Sequence, residues 1–231
     1  MTEADLDFIR RVLSVAESGE PDFPYSEVYI YADDNRFRPP RRQITLSIGF
    51  TEGGGNLKKV LDAYIAGGGA LSKDLQPFIA GLGDKSRGSL AGNQGFIGLL
   101  KAAGKESTMR QVQHQQFDRM YLSPAINWGE NFGFTLNLSF LVIADSYLHS
   151  GSMMPFLMNR FPEKKPVDGG DEKAWINAYL KARHDWLRTH SNKILNKTIY
   201  RADCYLTELA KGNWDLATPL VMHGTSIRRI V

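Results

Sequence analysis

Two carboxylates in unlike surroundings are the residues of this chain whose types and spacing could do chemistry. Glu17 follows an apolar helical stripe, Asp34 lies in a polar stretch, and a glycine-rich turn at 53–55 follows further on. Glycoside hydrolysis needs such a pair, because an apolar wall keeps one carboxyl protonated as the general acid while the other stays ionised to activate water. Many helices end in glutamate, so the pair alone indicates only a candidate glycosidase.

The first fifty residues predict the elements that must position these two side chains. Apolar residues recur at helical spacing over 6–16, directly before Glu17, and glycine and proline soon afterwards break the helix. Two β-prone runs, 28–31 and 44–48, flank the polar stretch and predict a short hairpin. We therefore expect Glu17 at the end of a helix and Asp34 in the loop between two strands.

Beyond the hairpin the pattern is helical. Asn56 can cap a helix that the glycines at 67–69 end. Further helical stretches are predicted at about 107–121, 132–148, 171–188 and 191–210. The first helix, the hairpin and the later helices are expected to form two lobes around a groove.

Composition excludes several classes of protein. The 231 residues include 42% hydrophobic side chains and can bury a substantial core, but no apolar run approaches the ~20 residues of a membrane helix. Cys204 is the only cysteine and the histidines lack metal-ligand spacing, so we expect no disulfide, no metal and no cofactor. The net charge of +3 favours anionic partners, yet the one basic cluster, at 37–42, is too small to indicate a nucleic-acid binder.

An ordered set of motifs runs through the rest of the chain. The motifs are Ser-Val-Ala-Glu at 14–17, the segments 115–125, 144–151 and 169–183, and a last run from Arg201 through Ala-Lys-Gly-Asn-Trp-Asp-Leu at 210–216 to Pro-Leu at 219–220. Together they resemble the glycoside hydrolase family 46 chitosanases, which share a lysozyme-like superfamily fold. The resemblance implies one catalytic domain over 1–231, mainly α with a small β-hairpin (α+β, lysozyme-like), in which two helical lobes surround a substrate groove.

The resemblance also implies roles for individual residues. Glu17 matches the general acid of the family, Asp34 matches the base in its Asp-Gly-Arg loop, and Thr45 is the nearest candidate for the threonine that holds the water. Arg36 and Asn56 are candidate substrate-binding residues. A charge network behind the acid, which positions it through bidentate pairing, is matched by Asp145, Arg183 and Arg201.

Because of two departures from the family pattern, the identity of the second catalytic carboxylate and that of the substrate are not decided by the resemblance. The loop after Asp34 is longer than in the family, so the register of Thr45 is open by at least one residue, and Asp33 is an alternative base. Glu27 is a further alternative in the same region. Where the family has an acidic residue to hold the substrate ammonium, this chain has Asn56, whose amide carries no charge.

These observations predict an inverting, endo-acting glycoside hydrolase that cleaves β-1,4 bonds of an amino-sugar polymer. Because Asn56 replaces an acid and the chain is basic, bacterial peptidoglycan is the expected substrate, which implies a lysozyme-like, antibacterial enzyme. The alternative is a chitosanase acting on chitosan. The alternative from another class is a non-catalytic glycan-binding module.

The expected site of action is the cell wall. The acidic start of the chain lacks the basic and apolar regions of a signal peptide. Three routes to the wall are therefore open: a signal that has been removed, a phage lysis system, and an injection apparatus. In the last case we expect an effector domain of a larger toxin, with a delivery or immunity partner. We expect a polysaccharide as the substrate, and neither nucleic-acid binding nor membrane insertion.

Overall fold

Helices are the main element of the structure. The computed structural model describes residues 1–34, 36–84, 86 and 88–229. The predicted fold class is confirmed, because one small antiparallel sheet lies early in a chain that is otherwise mainly helical. None of the helices in these residues is both long enough and apolar enough to cross a membrane.

The chain forms two compact units. The first comprises Met1–Asp22 and Arg119–Val231, and the second comprises Phe23–Asp118. The chain thus leaves the first unit after one helix and later returns to it. The single catalytic domain and its groove stay predictions.

The first helix, α1 (Glu3–Ser18), carries the apolar stripe that the sequence predicts. Thr2 and Asp5 form a capping box at its start, in which each side chain accepts a hydrogen bond from the backbone of the other. Gly19 ends the helix with φ 84°, a left-handed conformation that glycine adopts without strain. Glu17 consequently lies in the last turn, next to the buried residues Val15 and Ala16.

The predicted hairpin is confirmed in the second unit, although its strands begin and end at other residues than predicted. Its strands are β1 (Val28–Asp34), β2 (Arg41–Leu46) and β3 (Phe50–Thr51), which pair antiparallel in that order. Asp34 therefore ends a strand, and the prediction that it lies in the loop is wrong. Strand pairing extends to Asp34, which pairs with Arg41, although aspartate favours turns. A β-bulge lies between Ala32 and Asp34.

Four α-helices and the short 3-10 helix Leu90–Gly92 lie in the rest of the second unit, among its described residues. The α-helices are α2 (Asn56–Ala66), α3 (Ser72–Ile79), α4 (Gln94–Ala103) and α5 (Ser107–Phe117). The prediction that Asn56 caps α2 is wrong: Asn56 is its first residue, and Gly55 occupies the capping position with φ 74°. The periodicity did not predict α3, which is short and contains Pro77, or α4, which contains internal glycines.

The rest of the first unit consists of helices around one buried helix, followed by a hairpin. These elements are α6 (Ser123–Asn131), α7 (Asn137–Ser150), α8 (Pro155–Met158), α9 (Glu172–Thr189), α10 (Lys193–Asn196), α11 (Tyr200–Ala210), β4 (Leu220–Met222) and β5 (Thr225–Ile227). Every residue of α7 from Leu138 to Ser146 is buried, as expected of a helix that is apolar on all sides. The predicted helix 191–210 is divided into α10 and α11, and the final hairpin was not predicted.

Candidate active site

Glu17 lies at the edge of a buried group of charges. Nη2 of Arg201 donates a hydrogen bond to Oε1 of Glu17. The Glu17 side chain is 28% exposed, whereas that of Arg201 is 2% exposed. Glu17 is therefore held from the protein interior while part of its carboxyl group stays open to a ligand.

Behind Arg201, Asp145 binds two guanidinium groups. Arg201 Nη1 donates to Asp145 Oδ1 at 2.8 Å, and Arg183 Nη2 donates to Asp145 Oδ2 at 3.0 Å. The hydroxyl of Tyr205 also donates to Oδ1, at 3.1 Å. Burial raises the pKa of Asp145, but Arg201 and then Arg183 outweigh burial and keep that pKa below its ordinary value. The structure thus brings the three predicted network residues together with Glu17.

His149 belongs to this network, and sequence reasoning missed it. Nδ1 of His149 lies 3.0 Å from Nη2 of Arg183. Burial and the charge of Arg201 lower the pKa of His149 to about 4, so its ring is neutral at pH 7 and can accept this hydrogen bond. The available signal was its spacing: His149 follows Asp145 by four residues, which places both on one face of α7.

Asp34, in the second unit, is buried and paired. Arg36 donates from Nε to Oδ1 at 2.8 Å and from Nη2 to Oδ2 at 2.9 Å, a bidentate pair, and Arg41 Nη2 lies 3.4 Å from Oδ2. The hydrogen bonds from Arg36 are the main cause that lowers the pKa of Asp34 to about 2. Arg36, predicted to bind substrate, donates a further hydrogen bond from Nη1 to the carbonyl oxygen of Gly83 at 3.1 Å. Its guanidinium is thus engaged by the protein itself.

Asp33 differs from Asp34 in exposure. Its side chain is exposed and accepts a hydrogen bond from Nε2 of Gln43 at 2.8 Å. Gln43 is buried, and its Oε1 accepts from the backbone N–H of Gly53 at 2.8 Å. A Cβ atom on Gly53 would lie 2.5 Å from that oxygen and 3.0 Å from Asp34 Cγ, so the glycine-rich turn can approach both side chains only without one.

The other predicted residues of this unit lie at different places on the sheet. Thr45 follows Gln43 by two residues on β2, and both side chains therefore point to the same face. Glu27 precedes β1, whereas Asp34 ends it, so the seven-residue strand separates them by roughly 20 Å at about 3.3 Å a residue. Glu27, the alternative to Asp34 as the second carboxylate, therefore lies at the opposite end of β1, and its role stays a prediction. Asn56 lies at the first position of α2 and is partly exposed.

Comparison with known proteins assigns this chain to a class of enzyme. The sequence model of glycosyl hydrolase family 46 matches residues 12–220. The chain therefore belongs to glycosyl hydrolase family 46 and is a glycoside hydrolase.

Particular relatives are chitosanases. One from Bacillus subtilis (strain 168) is 24% identical over 223 residues, which cover 91% of this chain and 78% of the relative. The structure of a mutant chitosanase from Bacillus subtilis MY002 complexed with 6 GlcN superimposes with a TM-score of 0.83 at 20% identity, covering 99% of this chain and 100% of the other. A chitosanase from Gynuella sunshinyii complexed with chitotetraose gives a TM-score of 0.81 at 23% identity, covering 100% and 99%. These likenesses confirm the fold.

Replacing Arg183 with alanine should lower both stability and activity. The change leaves the buried carboxylate of Asp145 with one guanidinium partner, and removing one side of a buried ion pair costs about 3–5 kcal/mol. Urea unfolding at pH 7 measures the loss. Arg188→Ala on the same helix is the control, because that side chain is 59% exposed and its ion pair with Asp185 contributes little. An Arg183→Ala protein as stable as the control would contradict the buried network.

Acid should remove the stability that Asp34 provides. Its folded-state pKa of about 2 lies below the ordinary value of 3.8, so folding favours the ionised form. This contribution is fully present above about pH 4 and is lost as the pH falls toward about 2. Urea unfolding at about pH 7 and about pH 3 should show a smaller difference in Asp34→Asn than in the wild type. Equal differences in the two proteins would show that Asp34 is not paired as described.

Proposed function

We propose that this protein is an inverting chitosanase in which Glu17 is the general acid. The contact between Glu17 and Arg201, at the edge of the buried ion network, is the observation that carries the proposal. Family membership and the chitosanase relatives support it, since two of them were solved with glucosamine or chitosan oligosaccharides. They favour the alternative substrate of the sequence analysis over peptidoglycan, for which no named relative gives support.

The geometry at Glu17 suits proton donation. Arg201 binds Oε1, and Oε2 accepts no hydrogen bond from the described residues. Because Arg201 also binds Asp145, its charge is shared between two carboxylates, so it can orient Glu17 while the proton is exchanged. In the proposed reaction Glu17 protonates the leaving glycosidic oxygen, and a second carboxylate takes a proton from the water that attacks the opposite face of the sugar.

We assign the second carboxylate to Asp34. Arg36 keeps it ionised, as the base of an inverting pair must be before water attacks. Each oxygen of Asp34 also accepts one long hydrogen bond, from the backbone N–H of Arg36 at 3.3 Å and from Arg41 at 3.4 Å, so the attacking water has to replace one of these two weaker donors. Asp33 is the alternative, because its exposed carboxylate accepts only the bond from Gln43 among the described residues.

Peptidoglycan hydrolysis is the second candidate function. Asn56 begins α2 with an uncharged amide where the family pattern has an acid, and the net charge of +3 repels a polycation. These features predict weaker attraction to chitosan than an acidic surface would give. They do not alter the chemistry at Glu17, so both candidates share one catalytic apparatus.

The substrate is tested by digesting highly deacetylated chitosan and purified peptidoglycan side by side. We expect short glucosamine oligomers from chitosan, with inverted anomeric configuration in the first products by NMR. Muropeptides without chitosan products would establish the second candidate. Binding to either polymer without any product would leave only a glycan-binding module.

Glu17→Gln should abolish cleavage of chitosan and leave folding and binding nearly intact. The amide keeps the shape of the side chain but cannot donate a proton to the leaving oxygen, and acid catalysis contributes about 10²–10⁴-fold. Rates of reducing-end release and melting temperatures measure the two effects. Glu20→Gln, just beyond the helix at an exposed position, is the matched control. A Glu17→Gln enzyme with more than about a tenth of the wild-type rate would end this assignment.

Asp34→Asn should lower kcat by about 10²-fold or more, because the amide cannot accept the proton of water. Asp33→Asn, at the adjacent exposed position, is the control and should keep most of the activity. Melting temperatures show whether part of the lost activity comes from instability, because Asp34→Asn also removes the charged partner of Arg36. If the two variants behave in the opposite order, the base is Asp33.

A further inference from the structure

The turn of the C-terminal hairpin contains a histidine in the left-handed backbone conformation. His223 and Gly224 join β4 to β5, and both have positive φ, 51° and 78°. This is the backbone of a type I′ turn, in which asparagine followed by glycine is preferred, and His223 stands at the asparagine position. A residue other than glycine is uncommon at positive φ, although histidine adopts this conformation more often than most. Such a conformation persists when surrounding contacts hold it, and it is found at positions that serve function.

The contact that holds His223 is Tyr200, the first residue of α11. The two ring centroids lie 3.8 Å apart with their planes at 50°. The hydroxyl of Tyr200 donates a hydrogen bond of 2.5 Å to the carbonyl oxygen of Ala16, the residue before Glu17. Burial raises the pKa of Tyr200, opposed by Arg201 and assisted by Glu17, so its hydroxyl stays a donor.

A second contact from the hairpin reaches the same helix end. Oγ1 of Thr225 donates to the carbonyl oxygen of Gly19 at 3.2 Å. The last carbonyl groups of a helix find no N–H donor within the helix, so they need hydrogen-bond donors from outside it. Ala16 and Gly19 lie on either side of Glu17, so Tyr200 and Thr225 together determine where the last turn of α1 lies.

We propose that the C-terminal hairpin is a positioning element of the active site, in which His223 and Tyr200 fix the backbone that carries Glu17. The inference rests on the proposed role of Glu17. The family match ends at residue 220, so nearly all of the hairpin lies beyond the matched residues. Arg201 orients the carboxylate through its side chain, whereas Thr225 of the hairpin and Tyr200, which His223 contacts, act on the backbone on either side of Glu17.

The size of the expected effect follows from the sensitivity of catalysis to geometry. A displacement of about 1 Å in a catalytic group can cost about 10²-fold in rate. The hairpin contacts affect the end of a helix whose other residues are already buried, so releasing them should move Glu17 without unfolding α1. An effect on kcat that exceeds the effect on folding therefore distinguishes positioning from plain stabilisation.

Two substitutions test the proposal in the full-length protein. Tyr200→Phe removes the donor to Ala16 and keeps the ring, and His223→Asn removes the ring and keeps a residue that tolerates positive φ. Val221→Ser, at an exposed position on β4, is the control. With chitosan as substrate, each test variant should lose about 10-fold or more in kcat at unchanged KM, a loss larger than any loss of folded protein shown by its melting temperature, and the control should match the wild type.

Amide hydrogen exchange supplies a readout that does not depend on the substrate. The N–H of Gly19 bonds to the carbonyl of Val15, and it should exchange faster in Tyr200→Phe and His223→Asn than in Val221→Ser. Unchanged exchange and kcat in both variants would overturn the proposal, as would a loss of kcat no larger than the loss of folded protein. Activity retained in Glu17→Gln would instead refute the proposed function, whatever the exchange shows.

Discussion

The pairing of Asp145 with Arg201 and Arg183 is the interaction on which the first unit depends. Moving ions out of water costs several kcal/mol each, and their mutual attraction offsets this only when the geometry is good and further hydrogen bonds are made. Here both oxygens of Asp145 bind guanidinium groups, and Tyr205 donates a third hydrogen bond. Glu17 adds a second carboxylate to Arg201 at the partly exposed edge of this network, so the candidate acid is joined to the buried ions through one guanidinium group.

This requirement links the helices to the chemistry. Asp145 lies on α7, the buried central helix, whereas Arg183 comes from α9, Arg201 from α11 and Glu17 from α1. Four segments distant in the sequence must therefore dock in one arrangement before the ions are neutralised. The same arrangement brings Tyr200, next to Arg201, to the backbone at Ala16. Packing and active-site geometry are consequently specified by one set of contacts.

Some of this could be predicted from sequence and some could not. The position of Glu17 could be predicted because an apolar helical stripe leads to it and because the ordered motifs resemble those of a known family. The pairing of Asp34 with Arg36 could not, since it depends on a β-bulge that periodicity does not reveal. The roles of His149 and of the β4–β5 hairpin depend on packing between distant segments, and local pattern carries no information about such contacts.

The central claim is that the buried ions act on catalysis through Glu17, and a double-mutant cycle tests it most directly. The kcat values of Asp145→Asn, Glu17→Gln and the double variant would be compared with that of the wild type, with melting temperatures to correct for unfolded protein. The account predicts that Asp145→Asn lowers kcat in the wild type and causes no further loss once Glu17 is glutamine, because residues that act as a unit are non-additive. A full additional loss in the double variant would show that Asp145 acts independently of Glu17 and would contradict the account.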